Sequence, residues 1–215
     1  MGCRGKLLGT EKTRIFQNYL NHKSLIAMQQ LEKKLTLEDF LAMPESDVTH
    51  ELVKGEAVPK MSPKRFHARV TGALYTLLNH WCQEWGEVNP EWAIALKRRG
   101  EDWVPVPDLT YISYQRLPTD VMEDEPCPVP PELAIEIISQ GQRFGTLIEK
   151  ATDYLEAGVL RVWIVDPHAR SITVFYPDAP PRTYTKDMVI TDSLFEGLEL
   201  TPQQIFGEAR LPEKD

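Results

Sequence analysis

The sequence predicts an α/β domain, a mixed β-sheet flanked by helices, and three observations carry that expectation. Phe66, Val70, Leu74, Leu77, Leu78, Trp81 and Trp85 recur every three or four residues, the spacing of one buried helix face. Residues 133–138 are a short apolar run of the kind found in strands covered on both faces. Helical and strand signals alternate irregularly, with hairpins as well as crossovers, which suits a mixed sheet better than a regular parallel one. At 215 residues the chain is long enough for one compact domain with a real core.

Taken in order, residues 1–35 show no sustained periodicity and read as a basic arm, with Met28 as a second candidate start. Thr36 with Asp39 three residues on is an N-cap with an acid at N3, opening a small helix. In residues 50–60, HELVKGEAVPK, two strand signals flank a turn at Gly55. Ser62 as N-cap, Pro63 at N1, a Met61/Phe66 staple and Gly86 past the end frame a helix of about 22 residues. Strands are expected at 91–97 and 108–113, followed by an exposed Pro-rich acidic loop over 118–132 and then the apolar strand 133–138. Thr146 and Glu149 make a capping-box pattern for a helix ending near Gly158. Residues 160–165 and 171–176, joined through Asp166-Pro167, read as paired strands, and 184–190 as a weak strand. Thr201 and Pro202 are N-cap and N1 of a last helical turn. The domain is expected to fill 36–206, leaving 207–215 as a tail.

The formal charge of −8, from 24 basic and 32 acidic residues, argues against a generic nucleic-acid or anionic-membrane binder. That charge is uneven: seven Lys/Arg against Glu11 and Glu32 give residues 1–35 a net +5, which leaves −13 on the rest. The longest uncharged helical stretch, about 70–83, falls short of the ~18 apolar residues that a membrane span needs. Arg4 and Lys6 are followed only by Leu7 and Leu8 before Glu11, so no secretory h-region is present and a cytoplasmic protein is expected. Cys3, Cys82 and Cys127 fit neither a disulfide framework nor a zinc site, and the five histidines show no metal-ligand spacing. No dinucleotide or phosphate-loop signature occurs. The five tryptophans are expected mostly in the core, without the spacing of a stacking platform.

Two acids stand where strands should be apolar. Glu136 is a lone charge within residues 133–138, where an uncompensated carboxylate would cost several kcal/mol or take up a proton. Asp108 opens the preceding strand after Pro107. Two carboxylates sharing a space call for a cation, and a hard divalent ion held by one or two acids, water and phosphate is the magnesium pattern. Taking 100° per residue from Leu147 sets Lys150 at about 300°, on the border of the buried helix face. There it is expected in the first turn, where the macrodipole disfavours it and an acid would compensate. Metal, acids and an ammonium are the parts a phosphodiester hydrolase uses. Lys64 and Arg65, at a helix N-terminus that favours anions, are candidate phosphate contacts with His67 and Arg69, although a solvated basic cluster is the plainer reading.

The order Pro107-Asp108, Glu136 in an apolar strand, then Lys150 resembles the PD-(D/E)xK nuclease superfamily, and more closely its Uma-type restriction endonuclease family of bacteria. The segments LTLEDFLAMPE, HELVKGEAV, MSPKRFHARV, VPDLTYIS, ELAIEIIS, EKATDYLEAGVLRVWIVDP and GLELTPQQIF carry the likeness from about residue 35 to 206. The resemblance implies a restriction-endonuclease-like fold and a nuclease acting on nucleic acid, DNA before RNA. It implies Mg²⁺, with Mn²⁺ able to substitute, held by Asp108 and Glu136, with Lys150 as catalytic lysine and Glu51 as a further acid. The sequence leaves the oligomeric state open, with a homodimer as the candidate assembly because nucleases cutting both strands commonly act as symmetric dimers and C₂ symmetry is the commonest kind. The sequence departs from the superfamily in having Ile138 two residues after the second acid, and from the family in having Gln140 after the strand serine. The alternatives are a non-enzymatic binding module on the same fold and a hydrolase of small phosphorylated substrates.

Overall fold

The computed structural model describes residues 34–44, 46–120, 124–139 and 141–212. Residues 1–33 of the basic arm, part of the 118–132 loop, and Gln140 lie outside the described residues. In chain order the elements are α1 (Leu37–Leu41), β1 (His50–Val53), β2 (Glu56–Pro59), α2 (Arg65–Cys82), β3 (Gly86–Pro90), β4 (Leu96–Arg98), β5 (Glu101–Trp103), β6 (Leu109–Ser113), β7 (Leu133–Ile137), α3 (Phe144–Glu156), β8 (Arg161–Asp166), β9 (Ser171–Phe175), β10 (Arg182–Thr185) and α4 (Pro202–Glu208).

The apolar run around 133–138 becomes β7, buried at all five positions, inside a six-stranded sheet ordered β10-β9-β8-β7-β6-β3. Only β7 and β8 pair in parallel, and the α3 crossover between them is what a parallel pair requires. Alternation along β7 divides the core. Leu133, Ile135 and Ile137 join Val70, Leu74 and Leu78 of α2 and Ile205 and Phe206 of α4. Ala134 and Ile138 face the other way, onto Leu147, Ala151 and Tyr154 of α3. Glu136 shares that second face by the period-2 rule. The sheet is therefore mixed and covered on both faces, as expected. The hairpins β1–β2 and β4–β5 stand outside it, and Leu52 and Val104 join them through backbone bonds of 3.1 and 3.0 Å.

Two of the local capping signals hold. Thr36 caps α1 and Thr201 caps α4, each in a reciprocal capping box. Elsewhere tertiary contacts displaced the boundaries. Helix α2 starts at Arg65 with Lys64 in the extended N-cap position and no side-chain cap, so Ser62 and Pro63 lie before the helix. Helix α3 starts at Phe144, two residues before the Thr146 cap that its sequence suggests. The expected strand at 91–97 is interrupted: β3 ends at Pro90, Glu91 turns the chain at φ +49°, Ile94 makes a single bridge to Cys127, and a ladder resumes only at Leu96. The β4–β5 hairpin, three residues a side around Arg99 and Gly100, is too short for its periodicity to be read. Within 184–190 only the beginning is strand, and Ile190 forms a single bridge with Leu200. The 118–132 loop is not uniformly exposed: Cys127 is fully buried through a bridge to Ile94, and the Glu132 carboxylate takes the Ser113 hydroxyl at 2.6 Å. Trp103 and Trp163 are buried as expected, whereas Trp85 is 45% exposed. Helix α4 runs to Glu208 and Leu211 packs into the core, beyond residue 206. No helix among the described residues is long and apolar enough to cross a membrane.

Gly86 opens β3 instead of closing α2. A β-carbon there would meet Tyr111 Cε2 at 2.5 Å and Ile112 O at 2.7 Å, so the residue is small because the backbone and the Tyr111 ring of β6 crowd it. Gly72, inside α2, has nothing within 4 Å of the same position. Gly86→Ala is expected to lower unfolding free energy by ~1–3 kcal/mol through overpacking. Gly72→Ala is expected to raise it by ~0.5–1 kcal/mol through helix propensity. Paired urea denaturations of the two variants check both signs.

Candidate active site

The Asp108 carboxylate sits where the β6–β7 ladder ends. Regular pairing stops at Leu109 and Ile135, but Asp108 N–H still donates to Ile135 O at 3.0 Å and Asp108 Oδ2 accepts the Ile137 N–H at 2.7 Å. The side chain thus serves as a backbone acceptor, which fixes its direction. Oδ2 also meets His67 Nε2 at 2.9 Å, and Oδ1 meets Lys60 Nζ at 2.8 Å. Burial opposes ionisation of Asp108, yet the His67 hydrogen bond and then Lys60 outweigh it and hold the carboxyl at about 2.

Glu136 projects from the middle of β7 towards α3. Its Oε1 accepts from the Tyr154 hydroxyl at 2.9 Å and meets Lys150 Nζ at 2.8 Å. Lys150 is simultaneously 2.8 Å from Glu51 Oε1, which also accepts the Val106 N–H at 2.9 Å. Lys150 and Tyr154 are one turn apart on α3, with the ammonium 5.7 Å from the ring centroid. Because α3 starts at Phe144, Lys150 stands in its second turn, not the first, and the acids around it rather than the helix end govern its charge. Burial works against that charge, but Glu136 and then Glu51 keep the ammonium protonated above its ordinary value. Burial lifts Glu136 above the usual carboxylate range despite the pull of Lys150, and the charges of Asp108 and Glu51 add to the rise. Tyr154 is raised by burial and by Glu136, so it remains a donor.

Four sequence candidates, Asp108, Glu136, Lys150 and Glu51, therefore come together with His67. Lys64 and Arg65 line an adjoining cleft of about 330 Å³ with His67, Ser139 and His168. Arg69 is placed elsewhere, its guanidinium donating to the Arg210 carbonyl at 2.7 Å. Lys60 and Tyr154 escaped the sequence reading. Tyr154 stands four residues from Lys150, a usable signal, whereas Lys60 after a short strand looks like any surface lysine.

Asp108, Glu136 and Glu51 offer hard carboxylate oxygens, the donor type magnesium and manganese take. The contacts of Glu136 and Glu51 described above all fall on Oε1. Among the described residues no group of three or more His, Cys, Asp or Glu is placed to hold a metal ion. An ion held by two carboxylates, with water completing its shell, remains compatible with this donor set.

With metal chelated, the Asp108 charge is expected to govern acid stability. Its carboxyl lies at about 2 in the fold against an ordinary 3.8. The resulting ~2 kcal/mol is thus fully present above the ordinary value and lost as pH falls towards the folded one. Asp108→Asn should give up stability of that order at neutral pH and show a flatter acid limb between about pH 4 and 2 in urea titrations. Parallel acid limbs in parent and variant would contradict this.

Residues 37–203 match the model of the family Uma2, described as "Putative restriction endonuclease". Among solved structures, the chain resembles "a putative nuclease belonging to DUF820 from Anabaena variabilis ATCC 29413", with a TM-score of 0.71 and 22% identity over 81% of this chain and 99% of that one. At that identity the likeness is one of fold. Among curated proteins no sequence matches. With the family model covering most of its length, this chain belongs to the Uma2 family.

Proposed function

We propose that the chain is a metal-dependent nuclease hydrolysing phosphodiester bonds, with DNA as substrate. The observation that carries this reading is the Lys150 ammonium clamped at 2.8 Å by both Glu136 and Glu51, in the same buried cluster as Asp108. Asp108 and Glu136 would hold Mg²⁺, or Mn²⁺ in its place. Bound there, the ion supplies Lewis-acid polarisation of the phosphate and a lower pKa for the attacking water. The chain's own residues do the rest. Lys150 presents a fixed positive charge to the phosphoryl oxygens as negative charge grows on them. Glu51 holds Lys150 from the far side and Tyr154 orients Glu136. Lys64, Arg65 and His67 border the cleft along which a phosphate backbone would run.

A binding module on the same fold would leave the Lys150 amine in bulk solvent or hold the Asp108 and Glu136 carboxylates out of reach of one ion; on the first count the two 2.8 Å contacts of Lys150 favour the enzyme. A net charge of −8 implies weak, salt-sensitive non-specific DNA affinity, so binding relies on local contacts at the cleft. Cutting both strands of a duplex suits a C₂ homodimer, which is part of the same proposal.

Purified protein with Mg²⁺ or Mn²⁺ is expected to cleave plasmid, linear or single-stranded DNA, with RNA tested in parallel. Asp108→Ala and Lys150→Met should each reduce the rate by ~10²-fold or more while keeping the parent circular dichroism spectrum. Intact nucleic acid under all these conditions, or parent-like cutting by Asp108→Ala, would sink the reading.

A further inference from the structure

Lys60 contributes a second ammonium to the site, and its surroundings differ from those of Lys150. Lys150 has carboxylate oxygens of Glu136 and Glu51 at 2.8 Å each. Lys60 has Asp108 Oδ1 at 2.8 Å and only a longer contact, 3.4 Å, to Glu91 Oε1. Glu91 is half exposed, whereas the Asp108 side chain is 4% exposed. The backbone fixes the two acids side by side: Glu91 turns at φ +49° and its N–H donates to the Asp108 carbonyl at 3.3 Å. Lys60 thus has an inner seat on Asp108 and an outer one on Glu91.

The inner seat is the one an incoming cation needs. Asp108 Oδ2 already accepts from Ile137 N–H and contacts His67, so Oδ1 is the oxygen left for an ion, and Lys60 occupies it. Charge points the same way. Leaving aside His67 and Glu91, whose half-exposed carboxylate stays solvated, and counting Glu136 as the ion that pairs with Lys150, Asp108, Glu136 and Glu51 against Lys60 and Lys150 leave the inner cluster at −1. A divalent ion added with both lysines in place would make this buried cluster +1, whereas moving Lys60 to Glu91 restores neutrality. Unbalanced charge away from water is costly.

We infer that Lys60 is the resident counter-ion of Asp108 in the metal-free protein, and that divalent metal binds by exchange against it, Lys60 moving to Glu91 while Lys150 stays. The inference rests on the reading of Asp108 and Glu136 as metal ligands. It gives Lys60 the role of a positioning residue that sets metal affinity and keeps the empty site folded.

Mn²⁺ binding to the parent, Lys60→Met and Lys60→Arg, followed by the electron paramagnetic resonance of free Mn²⁺, tests this without any substrate. Lys60→Met is expected to bind at least about tenfold more tightly and Lys60→Arg within about threefold of the parent. In chelator Lys60→Met should melt lower than the parent and gain more from added Mn²⁺. Equal or weaker Mn²⁺ binding by Lys60→Met overturns the inference. In the parent itself, Mg²⁺ should shift the Lys60 ammonium ¹⁵N resonance more than that of Lys150, and an unmoved Lys60 signal overturns it even if neither variant folds. Mn²⁺ binding without DNA cleavage removes the nuclease reading and leaves the exchange standing. Cleavage with parent-like Mn²⁺ affinity in Lys60→Met does the reverse, and a parent that binds no Mn²⁺ ends both.

Discussion

A carboxylate inside a β-sheet has to be matched by positive charge or by hydrogen-bond donors, and much of this fold is arranged around that requirement. Asp108 immediately precedes β6 and Glu136 lies within β7, strands whose other residues are mostly apolar and buried. Their partners come from three different elements. Helix α2 brings His67, helix α3 brings Lys150 and Tyr154, and the β1–β2 hairpin with the residue after it brings Glu51 and Lys60. The pairing is crossed: the hairpin's acid holds the helix lysine, while the hairpin's lysine holds the strand acid. Removing Lys60 takes from Asp108 one of its two cationic or imidazole partners, and removing Lys150 takes from Glu136 its ammonium, so the elements are coupled through the site as well as through the core.

The same requirement explains which parts of the site the sequence revealed. Glu136 was legible because a lone acid in LAIEI contradicts the apolar pattern of a covered strand. Lys150 was legible because it borders an apolar helix face, although the macrodipole argument attached to it fails once α3 is seen to begin at Phe144. Lys60 was not legible, since a lysine ending a short, mostly exposed strand carries no pattern of its own. Its role exists only after β6 is placed next to it. Arg69, two residues beyond His67, is turned away by helix geometry, which proximity in sequence hides.

Element boundaries follow a similar division. The caps at Thr36 and Thr201 use partners three residues away and could be read directly. The start of α2 could not. Ser62 and Pro63 form a good local start signal, but Lys60 is committed to Asp108, residues 60–64 take no regular structure, and the helix begins only after the extended Lys64. The family match and the fold likeness agree on the frame, while the ion pairs supply the detail that neither carries.

The β1–β2 hairpin belongs to a separate two-stranded sheet, and among the described residues its backbone bonds to the segment after β5 are the Leu52–Val104 pair, joined by the Glu51 side chain on the Val106 N–H. Only one of its four β1 residues is buried, and β2 is largely exposed. Such a unit has the makings of a low-energy local opening, well below global unfolding. When it lifts, Glu51 and Lys60 leave together, so the pocket loses one negative and one positive charge in the same event and its net charge is conserved. Amide exchange in this hairpin is thus a clock for how often the strand acids meet solvent.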